Sequence, residues 1–117
     1  MKPIVDQKIR ILLGATIAIG PGKADLLEAI EQTESISAAA RQMHMSYRRA
    51  WMLVDAMNSS FTEPLVATSK GGKSGGGASV TDFGKDVLRR YRKIQSKAAS
   101  SISKDTSALL KLISQRA

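Results

Sequence analysis

A chain of 117 residues has material for one modest core and too little for two, so residues 1–117 read as a single domain. Its 18 Lys and Arg against 10 Asp and Glu leave a formal charge of +8. That points to a polyanionic partner, nucleic acid before an anionic membrane surface, with basicity for solubility alone as the plain alternative. The absence of Cys excludes disulfides and thiolate metal sites, one His cannot build a zinc site, and no cofactor is expected.

The amino terminus, MKPIVDQKIRILLG, has too short an apolar run for a signal peptide or a membrane span. This predicts a cytoplasmic protein without a membrane partner. From Lys8 to Gly20 the pattern has period two, with Ile9, Ile11, Leu13, Ala15, Ile17 and Ile19 on one face. It predicts a strand with one buried face, open to a bend or bulge at Gly14. Gly20-Pro21-Gly22 is a turn, and Lys23 to Thr33 carries helical spacing in Leu26, Leu27 and Ile30.

The stretch Ser35 to Asn58 is the most specific in the chain. Ser35 and Ser37 are N-cap types ahead of Ala38 to Met43, and three successive Ala allow a close helix crossing. His44-Met45 makes a turn and Ser46 caps the next helix. There Ala50, Val54 and Met57, with Leu53 beside them, form the core stripe. Arg48, Met52 and Asp55 fall opposite, with Tyr47 and Trp51 on one flank and Arg49 on the other. Trp51 is expected to pack and Tyr47 to contact DNA. Two short helices, the second opening on Ser46-Tyr47-Arg48-Arg49, are how a helix-turn-helix presents a basic recognition helix to the major groove.

Leu65 to Thr68 and Ala78 to Val80 read as paired strands around Ser69 to Gly77, a loop with five Gly and two Lys. A basic, Gly-rich hairpin of this kind, about residues 65–80, is a wing whose main chain can approach a phosphate backbone closely. Thr81 caps a final helix from about 82 to 116. Val87, Tyr91, Ile94 and Ala98 make a seam on it suited to a partner helix, and its length predicts a homodimer.

Two catalytic readings fail. Gly72-Lys73-Ser74 suggests a phosphate-binding P-loop, but Ala67 stands where that motif needs Gly, and a strand follows where it needs a helix. The single base candidate, His44, sits in the helix-turn-helix turn, so no enzyme is expected.

The run SISAAARQMHMSYRRAWMLVDAMN, followed by PLVATSKGGKSGGGASVTDFG, resembles the N-terminal domain of ModE-type molybdate-responsive regulators of bacteria. The matching residues are Ser35-Ile36-Ser37, Ala39-Ala40, Ser46-Tyr47, Ala50-Trp51, Met57-Asn58, Leu65-Val66, Gly71-Gly72-Lys73, Gly75-Gly76-Gly77-Ala78, Val80-Thr81 and Gly84. The register from His44 to Met57 is similar, more distantly, to that of LysR-type helix-turn-helices. The resemblance implies a winged helix-turn-helix that dimerises through its first strand, with Ile9 and Ile11, and through its long last helix. It also implies a two-fold symmetric operator. Ser74 departs from a Gly usual in that wing. The chain ends at Ala117, where the family's molybdate-binding domains would begin, so molybdate responsiveness is not carried over. A short, effector-free relative is the expectation, an isolated DNA-binding fragment the alternative.

The expected fold is thus mainly α with small β, a winged helix-turn-helix with an N-terminal strand and a long C-terminal dimerisation helix. The expected function is sequence-specific regulation of transcription on double-stranded DNA, without a small-molecule effector site. Tyr47, Arg48 and Arg49 are assigned to base edges. Arg41, Lys70 and Lys73 are assigned to phosphates, with Ser46 and Ser74 beside them. Architectural DNA binding without sequence preference and a winged-helix protein-interaction module are the alternatives.

Overall fold

The computed structural model describes residues 3–72 and 75–114. In chain order these form β1 (Ile11–Leu13), β2 (Thr16–Ile19), α1 (Pro21–Thr33), α2 (Ile36–Gln42), α3 (Tyr47–Ser60), β3 (Val66–Gly72), β4 (Gly75–Val80) and α4 (Asp82–Leu110). The two strand pairs are separate antiparallel hairpins. This is the winged helix-turn-helix, mainly α with small β, with a hairpin ahead of it and a long helix behind.

The amino-terminal strand differs from its expected form. It folds back at Gly14, whose φ of +60° is open to glycine at no steric cost. The register then pairs Leu13 with Thr16 and Leu12 with Ile17. Residues opposite one another share a face, so the turn exchanges the faces that an unbroken period of two assigns. A register shift between Ile11 and Leu12 then sets Ile11 opposite Ile19. Ile11, Leu12 and Leu13 all lie exposed, and burial begins only at Ala18 and Ile19.

Helix caps set the next boundaries. Pro21 opens α1 two residues earlier than its apolar spacing suggests, in keeping with proline's fit to a first helical position. Ser35 caps α2 by accepting from the Ala38 N–H at 3.1 Å. The helix closes with His44 in the left-handed region (φ 57°). Two bonds, His44 N–H to the Arg41 carbonyl and Met45 N–H to the Ala40 carbonyl, satisfy carbonyls the helix end leaves open.

One core joins these elements. Leu26, Leu27 and Ile30 of α1, Ala39 and Ala40 of α2, and Val54 and Met57 of α3 close on Leu65, Val80, Leu88 and Tyr91. Only the opening turns of α4 take part: its buried residues are Gly84, Leu88 and Tyr91. Gly84 is required by contact, since a Cβ there would overlap the Leu65 carbonyl oxygen and lie 2.8 Å from Val80 Cγ1. Arg92 clasps α4 to α1 through Asp25 at 2.8 Å and Glu28 at 3.4 Å. Beyond it α4 runs out of the core, and the molecule measures 58 × 32 × 25 Å.

Candidate nucleic-acid interface

The turn that opens α3 is built from the inside outward. Ala50, Val54 and Met57 are buried and fix how the helix is rotated. Ser46, extended at φ −69° and ψ 154°, caps it by accepting from the Arg49 N–H at 3.0 Å. Tyr47, Arg48 and Arg49 therefore leave the core at the first turn, all exposed, Tyr47 to 55%. Met52 and Asp55 continue the outward face. Arg41 is exposed in the last turn of α2.

Charge is also available on this surface. Several cations of α4 are held within the chain: Arg90 and Arg89 both bond Asp86, and Arg92 bonds Asp25 and Glu28. These contacts, the Arg90 bond foremost, hold the Asp86 carboxyl below its usual range. Arg41, Arg48 and Arg49 make no ion pair among the described residues, so their charge is open to an anion from outside.

The wing is braced against α3 by Asn58. Its side-chain oxygen accepts from the Leu65 and Val66 N–H groups at 2.8 and 3.1 Å, and its amide donates to the Val66 carbonyl at 3.0 Å. Thr81 ties the far end, taking the Gly84 N–H at 2.9 Å while donating to the Pro64 carbonyl at 2.8 Å. At the α1–α2 junction, the Glu34 carbonyl accepts from the Ala78 N–H at 3.1 Å. Strands β3 and β4 run further than expected and absorb most of the Gly-rich stretch. Lys70 lies on β3, whereas Lys73 and Ser74 lie outside the described residues.

Between α2, α3 and the wing is a cleft of about 320 Å³, reached by Ser35, Ser37, Tyr47, Trp51, Thr68 and Ser69. Trp51 packs against the core as expected, and Tyr47 meets it edge to face at 6.2 Å and 80°. The sequence reading names Ser35 and Ser37 as caps only, and gives Thr68 and Asn58 no part at the site. An Asn in the last turn of α3, ahead of the wing, is the available signal for the brace.

The seam on α4 is divided. Tyr91 is only 2% exposed, its ring inside this chain's own core, and its hydroxyl donates to the Ile9 carbonyl at 2.7 Å. Val87 packs on the same core. Both are expected from the sequence to face a partner helix; within this chain Tyr91 is enclosed by the core and Val87 stays half-buried at its edge. Ile94 is 41% exposed and Ala98 half-buried; Ile9 is half-buried and Ile11 exposed.

Residues 23–85 match the family described as the bacterial regulatory helix-turn-helix protein, lysR family, more than half of the chain. The chain belongs to that family. This lysR-family chain is 38% identical over 87 residues to the molybdenum transport protein ModE of Azotobacter vinelandii, covering 74% of itself and 32% of that protein. It is 42% identical over 85 residues to the molybdenum-pterin-binding protein MopB of Rhodobacter capsulatus, covering 73% and 32%. Against the DNA-binding transcriptional dual regulator ModE of Escherichia coli K12 the identity is 36% over 88 residues, covering 73% and 34%. The chain thus spans about a third of the length of the curated relatives it matches. Its fold is like that of the DNA-binding domain in the CbnR–DNA complex, with a TM-score of 0.58 at 19% identity, covering 75% of this chain and 95% of that one. No helix among the described residues is long and apolar enough to cross a membrane.

Proposed function

We propose that this chain is a sequence-specific DNA-binding regulator of transcription that acts as a homodimer on a two-fold symmetric operator. The observation that carries the reading is the opening turn of α3. It is capped by Ser46, exposed and unpaired in charge, and it stands beside a wing braced by Asn58. In this mechanism Arg48, Tyr47 and Arg49 reach base edges in the major groove, where Arg pairs with guanine through two hydrogen bonds. Arg41 and the wing residues Lys70, Lys73 and Ser74 follow the phosphates, and Ser46 donates its hydroxyl proton to a phosphate oxygen while its lone pair keeps the cap.

Relatives called transcriptional regulators and a neighbour solved on DNA support the same reading. The dimer uses the part of α4 beyond Tyr91, with Ile94 and Ala98, together with the exposed Ile11 of the hairpin. Two copies place their α3 helices about one DNA turn apart, roughly 34–36 Å. Molybdenum enters through the names of relatives of which this chain covers about a third, and the proposed mechanism gives it no part.

Selection from random duplexes at two salt concentrations tests the proposal. A defined palindromic site is expected, and Arg48→Ala is expected to cost about 1–3 kcal/mol on that site and to relax its sequence preference. An unchanged preference would refute base reading by Arg48. Tight binding without any preferred site would refute sequence-specific regulation.

A further inference from the structure

On the side of α3 away from the wing lies a cavity of about 380 Å³ that shares only Arg49 with the proposed DNA-reading mechanism. Four cations reach it from three parts of the chain: Lys8 and Arg10 before β1, Lys23 in the first turn of α1, and Arg49 of α3. Ile17, Met45 and Leu53 supply apolar walls. No carboxylate lines it. Among the described residues Lys8 pairs with Asp6 at 3.5 Å, both side chains largely in water, where such a pair contributes little. Arg10, Lys23 and Arg49 make no ion pair among the described residues.

Lys23 is the telling member, because it is only 9% exposed. Its ammonium donates to the Ile17 carbonyl, which answers one of three N–H donors and none of the charge. Burial lowers its pKa, the mark of a cation drawn from water without a compensating anion. A buried Lys is seldom kept unless it is paired. Packing alone would be met by Leu or Met at this position. The backbone adds to the field, since α1 begins here with no side-chain cap and no acidic residue in its first turn.

We propose that this cavity is an oxyanion site that takes a phosphate group, held by Arg10, Lys23 and Arg49. Two sources share that chemistry: a phosphate of the DNA backbone running past the hairpin side of α3, or a free phosphate or phosphate monoester. The sequence reading contained no such site, since Lys8, Arg10 and Lys23 sit in three unlike contexts until the fold joins them. Arg49 then lies between the cavity and the DNA-reading face, and an occupant of the cavity fixes its guanidinium.

Inorganic phosphate titrated into the full chain, followed by NMR of the Gly22 and Lys23 amides and the Arg49 side chain, tests the site directly. Saturating shifts with one common midpoint are expected, weakened about tenfold by Arg10→Gln, the loss of one charge-assisted contact. Lys23→Met, which keeps the buried stem, should abolish them; if that variant fails to fold, the exposed Arg10 variant decides. The source is read from DNA binding against salt. A slope reduced by about one in Arg10→Gln assigns a backbone phosphate. An unchanged slope, with phosphate still bound in the DNA complex, assigns a free one. Absence of saturable phosphate binding together with an unchanged salt slope overturns the proposal. The phosphate titration needs no DNA, so failure of the DNA-reading proposal would leave it standing, and the reverse holds.

Discussion

The two parts of α4 obey different rules although one uninterrupted helix contains both. From Asp82 to Tyr91 the helix is part of the domain: Gly84 touches the wing's base, Leu88 is buried, and Tyr91 bridges to the amino-terminal segment. Past Arg92 it holds no buried residue, and Ile94 and Leu109 stay exposed, as do Leu112 and Ile113 beyond its end. A similar contrast divides the amino-terminal hairpin, where Ile19 is buried while Leu12 and Leu13 are not. Apolar residues on the head are there to close a core. Apolar residues on the arm have no core to close, and scattered along one projecting helix they suit a second surface.

The contrast predicts a hierarchy of effects. Tyr91→Ala removes a fully buried ring and should cost about 3–5 kcal/mol in urea-induced unfolding. A loss below about 1 kcal/mol would move Tyr91 from the head to the arm and restore it as a dimer contact. Gly84→Ala drives a methyl into the Leu65 carbonyl, and about 1–3 kcal/mol is expected from overpacking, read by the same unfolding measurement.

Tyr91→Phe is gentler and isolates the hydroxyl bond to Ile9, with a cost of about 1 kcal/mol at neutral pH. It also has a pH signature. Burial raises the Tyr91 pKa above its ordinary 10.0, so in the unfolded chain the phenol ionises first. The folded state then holds the extra proton, and stability must fall as the pH rises above 10 and on through the folded pKa. Tyr91→Phe should lack this alkaline loss, which thermal melts between pH 9 and 11 on the order of half a unit apart would resolve. Ile94→Asp on the arm should change unfolding by less than about 0.5 kcal/mol. Its effect should appear in sedimentation equilibrium, as a weakened dimer. Strong destabilisation with no change in association would erase the distinction between head and arm.

Much of the head was legible residue by residue. Ser35, Ser46 and Thr81 announced three helix starts because a cap is a local matter, one hydroxyl answering one N–H three residues on. Ala50, Val54 and Met57 announced the buried stripe of α3, and with it the exposure of Tyr47, Arg48 and Arg49. Less legible was anything depending on how distant segments meet. Alternation through Lys8–Gly20 was real, yet a two-residue turn at Gly14 exchanged the faces of Leu12 and Leu13, and a register shift beside Ile11 ended the exchange. Val87 and Tyr91 have the spacing of a partner seam, and spacing is the same whether the neighbour is another chain or the rest of this one.

The sequence by itself determined a winged helix-turn-helix whose third helix is capped and opens on basic residues, because periodicity, caps and turn residues are short-range signals carried by the chain. Only the tertiary structure decided that Asn58 braces the wing, that Tyr91 belongs to the core, and that Lys8, Arg10, Lys23 and Arg49 share a cavity. Those facts arise from contacts between residues up to 82 positions apart, where no local pattern records the partner.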